Sequence, residues 1–430
     1  MHYARFINPT SAGRYLMPLR KLTEIQTKGG PNLLALGTGA PNPNCFPFKT
    51  ITVESKDDQK FVLDGKLLNT ALSYGASPGM PDLIDWLKNF QLKIHNPPTA
   101  NRKEGDEARM ELIVLPGSQD GLCKALEMLI QPHDYVLLEE LTYPGNTGVL
   151  RPYQPQFLSL KSDENGLVPH SLREALSKWT SADARKQDTK MPKFLVVQPN
   201  HCNPTGATIP LERRKEIYKI AQDYDLIIIE DDAYYFITYY GEPPPSFLSL
   251  DTDGRVLRLD SFSKIMSAGI RMGVLTGPKA LVNQVLMHVA NSSVQCNTLS
   301  QVIVSKLLQQ WGHDGFMEHT KKVAKFYESQ CQKMLKAAET HLTGLADWHD
   351  PKGGMFLWFK VRGIRDTKKM IMEKAMSKKV VLAPGSFFML TDAPTPYLRA
   401  SYSAVSEEQM HVAFQRLANL IQEEQCENKS

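Results

Sequence analysis

The chain has 430 residues, 42% of them apolar and 22% charged, with 50 Lys and Arg against 46 Asp and Glu, which allows two or three domains with a large core and leaves a formal charge of only +4. That balance gives no electrostatic case for nucleic acid or an anionic membrane as a partner, and no apolar run approaches the roughly 18 residues of a membrane span. The six cysteines, at 45, 123, 202, 296, 331 and 426, form no C-x-x-C, and the eleven histidines supply no H-E-x-x-H, so no metal is expected and a small-molecule protein with free thiols in a reduced compartment is.

No acidic residue precedes Glu24, whereas Arg5, Arg14, Arg20 and Lys21 do, a composition compatible with an organelle transit peptide. The stretch 95–109, HNPPTANRKEGDEAR, reads as a surface excursion. LIVL (112–115) gives way to PGSQDG and then LCKALEMLI, where Leu122, Ala125, Leu126 and Leu129 fall on one helical face. A Gly-Ser-Gln turn opening a helix offers free amides and a hydroxyl at the positive end of the helix dipole, which suits a phosphate; N-capping by Ser118 would show the same residue types.

After a charged loop at 177–193, FLVV (194–197), a turn PNHCNPTG, the helical pattern LERRKEIYKIAQDYD and LIII (226–229) make the strand, helix, strand order of a parallel sheet. NPTG at 203–206 is by itself equally a plain turn. LIII runs into EDDAYY, and an aspartate ending an apolar strand is costly to bury unless it meets a cation; Asp231 or Asp232 is that residue, or else caps a turn. Tyr234 then offers a phenol to a ligand or packs. GEPPPS (241–246) reads as another surface loop.

VLRLD (256–260) leads into SFSKIMSAGIRMG, where Lys264 is the only formal charge between Ser261 and Ile270, with Arg271 following. A Schiff-base lysine must spend time as a neutral amine, and desolvation beside a cation lowers an ammonium's pKa. Three apolar runs thus end on polar residues: Asn200 and Asn203, Asp231 and Asp232, and Ser261, Ser263 and Lys264. Open α/β sheets bind ligands beyond the carboxyl ends of their strands, so one shared crevice is expected. Past about residue 330, GGMFLWFKV, VVLAPGSFF and YLRASYS read as short strands and SEEQMHVAFQRLANLI as a closing helix with Ser406 and Gln409 as a capping box. Arg399, held in the last strand, is placed to grip a carboxylate bidentately or to form a structural salt bridge.

SFSK, NPTG, D-D-x-Y and the late arginine, taken together over nearly the whole chain, resemble the fold-type I, class I/II aminotransferases that use pyridoxal phosphate. MHYARFINPTSA, APNPNCFPFKT, IEDDAYYF, DGRVLRLDSFSKIMSAGIRMG and GGMFLW resemble in particular the kynurenine/2-aminoadipate aminotransferase branch. The resemblance implies an α/β fold with a mostly parallel central sheet in a large domain and a smaller α+β domain, divided as an N-terminal segment 1–45, a cofactor-binding domain 46–330 and a C-terminal domain 331–430. It implies that Lys264 carries the cofactor and that Asp231 pairs with its ring nitrogen. Asn203 and Tyr234 would bind its ring oxygen and Tyr143 stack on it, while Ser118, Gln119, Ser261, Ser263 and Arg271 would hold its phosphate.

Arg399 would clamp the substrate α-carboxylate, with Asn203 and Tyr143 beside it. Arg20 and Gly39 would approach the substrate from the N-terminal segment, and Tyr74 would reach the partner's site in a homodimer. The expected reaction is transfer of the amino group of L-kynurenine and L-2-aminoadipate to 2-oxoglutarate, with broad amino-acid specificity. The alternatives on the same fold are an aromatic aminotransferase, a cysteine-conjugate β-lyase or, least in keeping with the low charge, a cofactor-binding regulator. Location in the mitochondrial matrix is expected, with the cytosol as the alternative; a working role for Arg20 argues against cleavage beyond it. Ala233, Cys202 and the EELTYPG segment depart from the family's usual residues and bear on substrate range more than on cofactor binding.

Overall fold

The computed structural model describes the chain except for residues 20, 21, 23, 24, 26–32, 35, 38, 187, 188, 392 and 428–430. The described residues fall into two compact units, one drawn from Met1–Gln131, Ile227–Ala233 and Phe247–Met317 and the other from Pro132–Leu226, Tyr234–Ser246 and Glu318–Ser430. Each is an assembly of strands and helices, in keeping with an α/β fold.

In the first unit four strands lie in the order Met110–Leu115, Gly273–Pro278, Val256–Ser261, Ile227–Asp231. Their near-continuous apolar runs are those of strands buried on both faces, and Ile227–Asp231 is buried throughout. Val256–Ser261 runs parallel to Ile227–Asp231, with Leu259 opposite Asp231. Gly273–Pro278 is antiparallel to both neighbours, as a mostly parallel sheet allows, with Gly273 opposite both Ser261 and Leu115. The reason is local: residues 262–272 turn the chain back beside the strand it has just left, and the Phe262 amide donates to the Met272 carbonyl at 3.2 Å to close the loop.

The helix Ser118–Leu129 buries the face expected of it, Leu122, Ala125, Leu126 and Leu129. It approaches the sheet closely because its second turn carries a glycine. A Cβ at Gly121 would stand 2.5 Å from Leu115 Cδ1 and 2.7 Å from Leu259 Cδ2.

The second unit contains the parallel strands Phe194–Val197, Tyr135–Glu139 and Gln156–Leu160, in that order. It also contains an antiparallel sheet ordered Ala346–Trp348, Phe356–Val361, Tyr397–Ser401, Ala383–Pro384. Leu357, Phe359, Leu398 and Ala400 alternate inward from that sheet and pack with Phe414, Leu417 and Ile421 of the closing helix Glu407–Glu427. That helix begins with the expected capping box: the Gln409 amide donates to Ser406 Oγ at 3.2 Å and the Ser406 amide to Gln409 Oε1 at 2.9 Å.

One local expectation is corrected, and two expected surface stretches are found fastened at a few buried points. VVLAPGSFF forms a strand only over Ala383–Pro384, because proline lacks a donor for the ladder and Gly385–Phe388 coils into a 3₁₀ turn. The stretch 95–109 is anchored by buried His95, Thr99 and Ala108. GEPPPS ends in a fully buried Ser246, and Arg214 Nη1 donates to the carbonyls of Pro244 and Pro245 at 3.0 and 3.1 Å, fastening the loop.

Candidate active site

In the first unit the candidate groups gather where two strands end and one helix begins. The N-cap of helix Ser118–Leu129 is Gly117, at φ 92°, and no side chain caps the helix. Ser118 is therefore its first helical residue rather than its cap, and the leading amides keep their donor capacity. Arg271, itself left-handed at φ 51°, lays its guanidinium against this turn: Nη2 donates to the Pro116 carbonyl at 3.4 Å and Nη1 to Ser263 Oγ at 3.3 Å. The fit depends on missing side chains. A Cβ on Gly117 would lie 3.1 Å from Arg271 Cζ, and one on Gly273 would lie 2.6 Å from the Gly117 carbonyl carbon.

Ser261 ends the Val256–Ser261 strand, and its Oγ accepts from the Ser263 amide at 3.2 Å. Lys264 follows, half-buried between buried Phe262 and Ile265. Uncapped amides at a helix start, two hydroxyls and a guanidinium make a concave donor set suited to a phosphate monoester. An amine stands on the same loop.

Asp231 and Asp232 differ in their surroundings. Asp232 is committed to Arg258, whose Nη1 donates to its Oδ2 at 2.8 Å with neither side chain exposed. Asp231 ends its strand in register with Leu259, two residues before Ser261, so its carboxylate and the lysine loop issue from adjacent strand ends.

In the second unit the strand Phe194–Val197 leads to Asn200 and Asn203, which have different duties. The Asn200 side chain accepts from fully buried Arg214 at 2.7 Å and is structural. Asn203 Oδ1 accepts from Arg399 Nη1 at 2.6 Å. Arg399, paired across its sheet with Trp358, holds its guanidinium 4.0 Å from the Phe356 ring centroid and 4.7 Å from that of Phe388. Its buried Nε has no hydrogen-bond partner among the described residues.

Desolvation pulls the Arg399 pKa below its ordinary value, with Tyr234 and Tyr143 acting in the opposite sense and no carboxylate contributing. A salt bridge, the structural alternative for Arg399, is thus absent among the described residues. What remains is an arginine fork held between two rings and short of an anion. Tyr234 is buried and its ring lies edge-on to Phe356 at 6.0 Å; Tyr143 stands at the start of helix Pro144–Leu150.

Gly39 is exposed and a Cβ there would meet nothing within 4 Å, while Tyr74 is 63% exposed. Neither is brought to the other groups of its own unit by the contacts above, and Arg20 lies outside the described residues. Residue patterns missed several participants: Arg258, the Phe356 and Phe388 pair, Gln198, whose Oε1 accepts from the Asn203 amide at 3.1 Å, and His201. Of these only Arg258, a charge inside the apolar run VLRLD opposite EDD, left a mark in the sequence.

Residues 65–417 match the family model for aminotransferase class I and II. The mitochondrial kynurenine/alpha-aminoadipate aminotransferase of Bos taurus is 46% identical over 424 residues, covering 98% of this chain and 100% of that one. Among solved structures, the C. albicans aromatic aminotransferase Aro9 is 26% identical with a TM-score of 0.83, each chain covered over 98% of its length. The Pyrococcus horikoshii kynurenine aminotransferase, solved with PMP, with KYN as substrates and KYA as products, is 26% identical with a TM-score of 0.75 and the same coverage. A lysine loop beside a phosphate-shaped turn, an arginine awaiting an anion and this end-to-end similarity have one common reading: the chain belongs to the class I and II aminotransferases, which move amino groups between amino acids and 2-oxo acids.

Proposed function

We propose that this aminotransferase transfers the amino group of L-kynurenine and of L-2-aminoadipate to 2-oxoglutarate, using pyridoxal 5'-phosphate. Identity of 46% along the whole length of the bovine kynurenine/alpha-aminoadipate aminotransferase carries the choice of substrates. The donor set around Gly117, Ser118, Ser263 and Arg271 supports a phosphate-bearing cofactor, and the anion-poor Arg399 supports a carboxylate-bearing substrate.

Pyridoxal phosphate supplies an electron sink that makes the substrate Cα proton acidic. In this proposal Ser118, Gln119, Ser261, Ser263 and Arg271 hold its phosphate, and the Asp231 carboxylate faces its ring N–H. Asn203 and Tyr234 donate to its ring oxygen, with Tyr143 against the ring face. Arg399 would take the substrate α-carboxylate in its fork. The Lys264 amine would be the base that takes the substrate Cα proton and the acid that returns it during the amino transfer. Arg20 pairs with the distal carboxylate of 2-aminoadipate, Gly39 leaves room for a bulky side chain, and Tyr74 completes the partner's site in a homodimer. The N-terminal segment 1–45, the domain 46–330 and the domain 331–430 are its working divisions, and its compartment is the mitochondrion, more finely the matrix; the name of the bovine relative, which carries the word mitochondrial, supports the coarser part.

Absorbance of the purified protein, recorded as each amino acid is added, tests the half-reaction. Loss of the visible band with release of one oxo acid per site is expected. A wild-type protein without that band, or the same band in Lys264→Ala, would contradict the reading.

A further inference from the structure

Arg258 lies mid-strand with its side chain wholly out of water. A guanidinium does not lose its proton in proteins, so burying one is costly unless its charge and its donors are met. Three carboxylates meet it. Nη1 donates to Asp232 Oδ2 at 2.8 Å and lies 3.3 Å from Glu230 Oε1, while Nη2 donates to Asp260 Oδ1 at 2.8 Å and Nε to the same carboxylate at 3.1 and 3.2 Å. Each outer anchor is fastened in turn. Glu230 accepts from the amides of Phe247 and Leu248 at 2.8 and 3.1 Å, and Asp260 accepts from Gln91 Nε2 at 2.7 Å.

Glu230 and Asp232 flank Asp231. Side chains alternate across a strand, so these two share the face on which Arg258 lies and Asp231 leaves by the other. Arg258 pairs with Glu230 in the parallel register, and the Asp232 amide donates to the Leu259 carbonyl at 3.1 Å. The geometry points to Arg258 as a positioning residue for Asp231: one planar fork on the far face of the sheet grips the residues before and after Asp231 and ties them to the strand that leads to Lys264. The Asp231 carboxylate is thereby delivered in a single orientation. This rests on the reading that Asp231 pairs with the ring nitrogen of the cofactor. Lysine does not substitute, because an ammonium on a flexible stem lacks the fork that reaches several carboxylates at once.

The test is the 15N chemical shift of the holoenzyme carrying cofactor labelled at the ring nitrogen, read in wild type, Arg258→Lys and Asp231→Asn. In Arg258→Lys the signal moves toward that of the unprotonated ring, and kcat falls about 10- to 100-fold, the cost of misplacing a group near the reacting atoms by up to an ångström, with KM nearly unchanged. A lower melting temperature with an unmoved nitrogen signal is what a purely structural arginine gives, and overturns the proposal. If Asp231→Asn itself leaves the signal in place, the pairing of Asp231 with the ring is wrong, and the proposal falls with it for that separate reason. Should Arg258→Lys not fold, Asp260→Asn keeps the guanidinium and removes one anchor; its signal must shift in the same direction, and an unchanged one overturns the proposal.

Discussion

The His201 imidazole hydrogen-bonds with the Thr238 hydroxyl through Nε2 at 2.9 Å and with the Thr208 hydroxyl through Nδ1 at 3.2 Å, two residues before Asn203. Burial, and secondarily the charge of Arg214, push its pKa from 6.5 down to about 3, so the folded protein holds it neutral. Below about pH 6.5 the unfolded chain takes up a proton that the folded chain refuses, and stability is lost progressively as pH falls toward about 3. His201→Gln therefore makes the loss of stability across this window shallower than in wild type, measured as denaturant midpoints against pH; parallel curves would refute it. Nothing in HCNPTG announces this, because Thr238 and Gly353, which crowd the ring, are remote in sequence. Lys264 was legible for the opposite reason: it is the one formal charge between Ser261 and Ile270, a contrast visible without knowing its neighbours. Arg258 carried the same contrast, but its meaning lay in carboxylates on another strand.

At the scale of elements, helix Ser118–Leu129 presents its leading amides from a fixed height above the sheet, and Gly121 sets that height. Gly121→Ala forces the helix away from Leu115 and Leu259, costing about 1–3 kcal/mol as overpacking does and weakening cofactor retention. Gly148→Ala, in a helix where a Cβ would meet nothing within 4 Å, is the control, expected to be neutral or stabilising by up to about 1 kcal/mol. Urea unfolding and cofactor titration of both variants decide it; equal effects would remove Gly121 from its role. Apolar runs sufficed to find the long strands and the closing helix because burial dictates composition there. They overextended VVLAPGSFF, where Pro384 rather than hydrophobicity decides, and gave no sign that carbonyls of the surface loop GEPPPS are claimed by an arginine from another element.

For the whole molecule, Tyr15, Leu34, Leu36 and Tyr74 are large and well exposed in the single chain, with Leu34 at 90% and Leu36 at 98%. Exposed apolar groups of this size suit an association surface, in line with the proposed homodimer. If Tyr74 serves the partner's site, mixing Lys264→Ala chains with Tyr74→Ala chains yields hybrids with one intact site, and activity recovers to about one quarter of wild type at equal mixing. No recovery after subunit exchange, with hybrids verified by mass, would remove Tyr74 from the partner's site. Oligomeric contacts leave little trace in one chain's residue pattern, since an interface resembles either core or surface until its partner is present. The loop between Ser261 and Gly273 has a different independence. Its two ends are locked opposite each other in an antiparallel register, and it holds both Lys264 and Arg271. If Lys264 and Arg271 have the roles proposed for them, the span from amine to phosphate grip is a gauge length stored within one hairpin, and adding or deleting a residue there would mismeasure the cofactor even if every other contact survived.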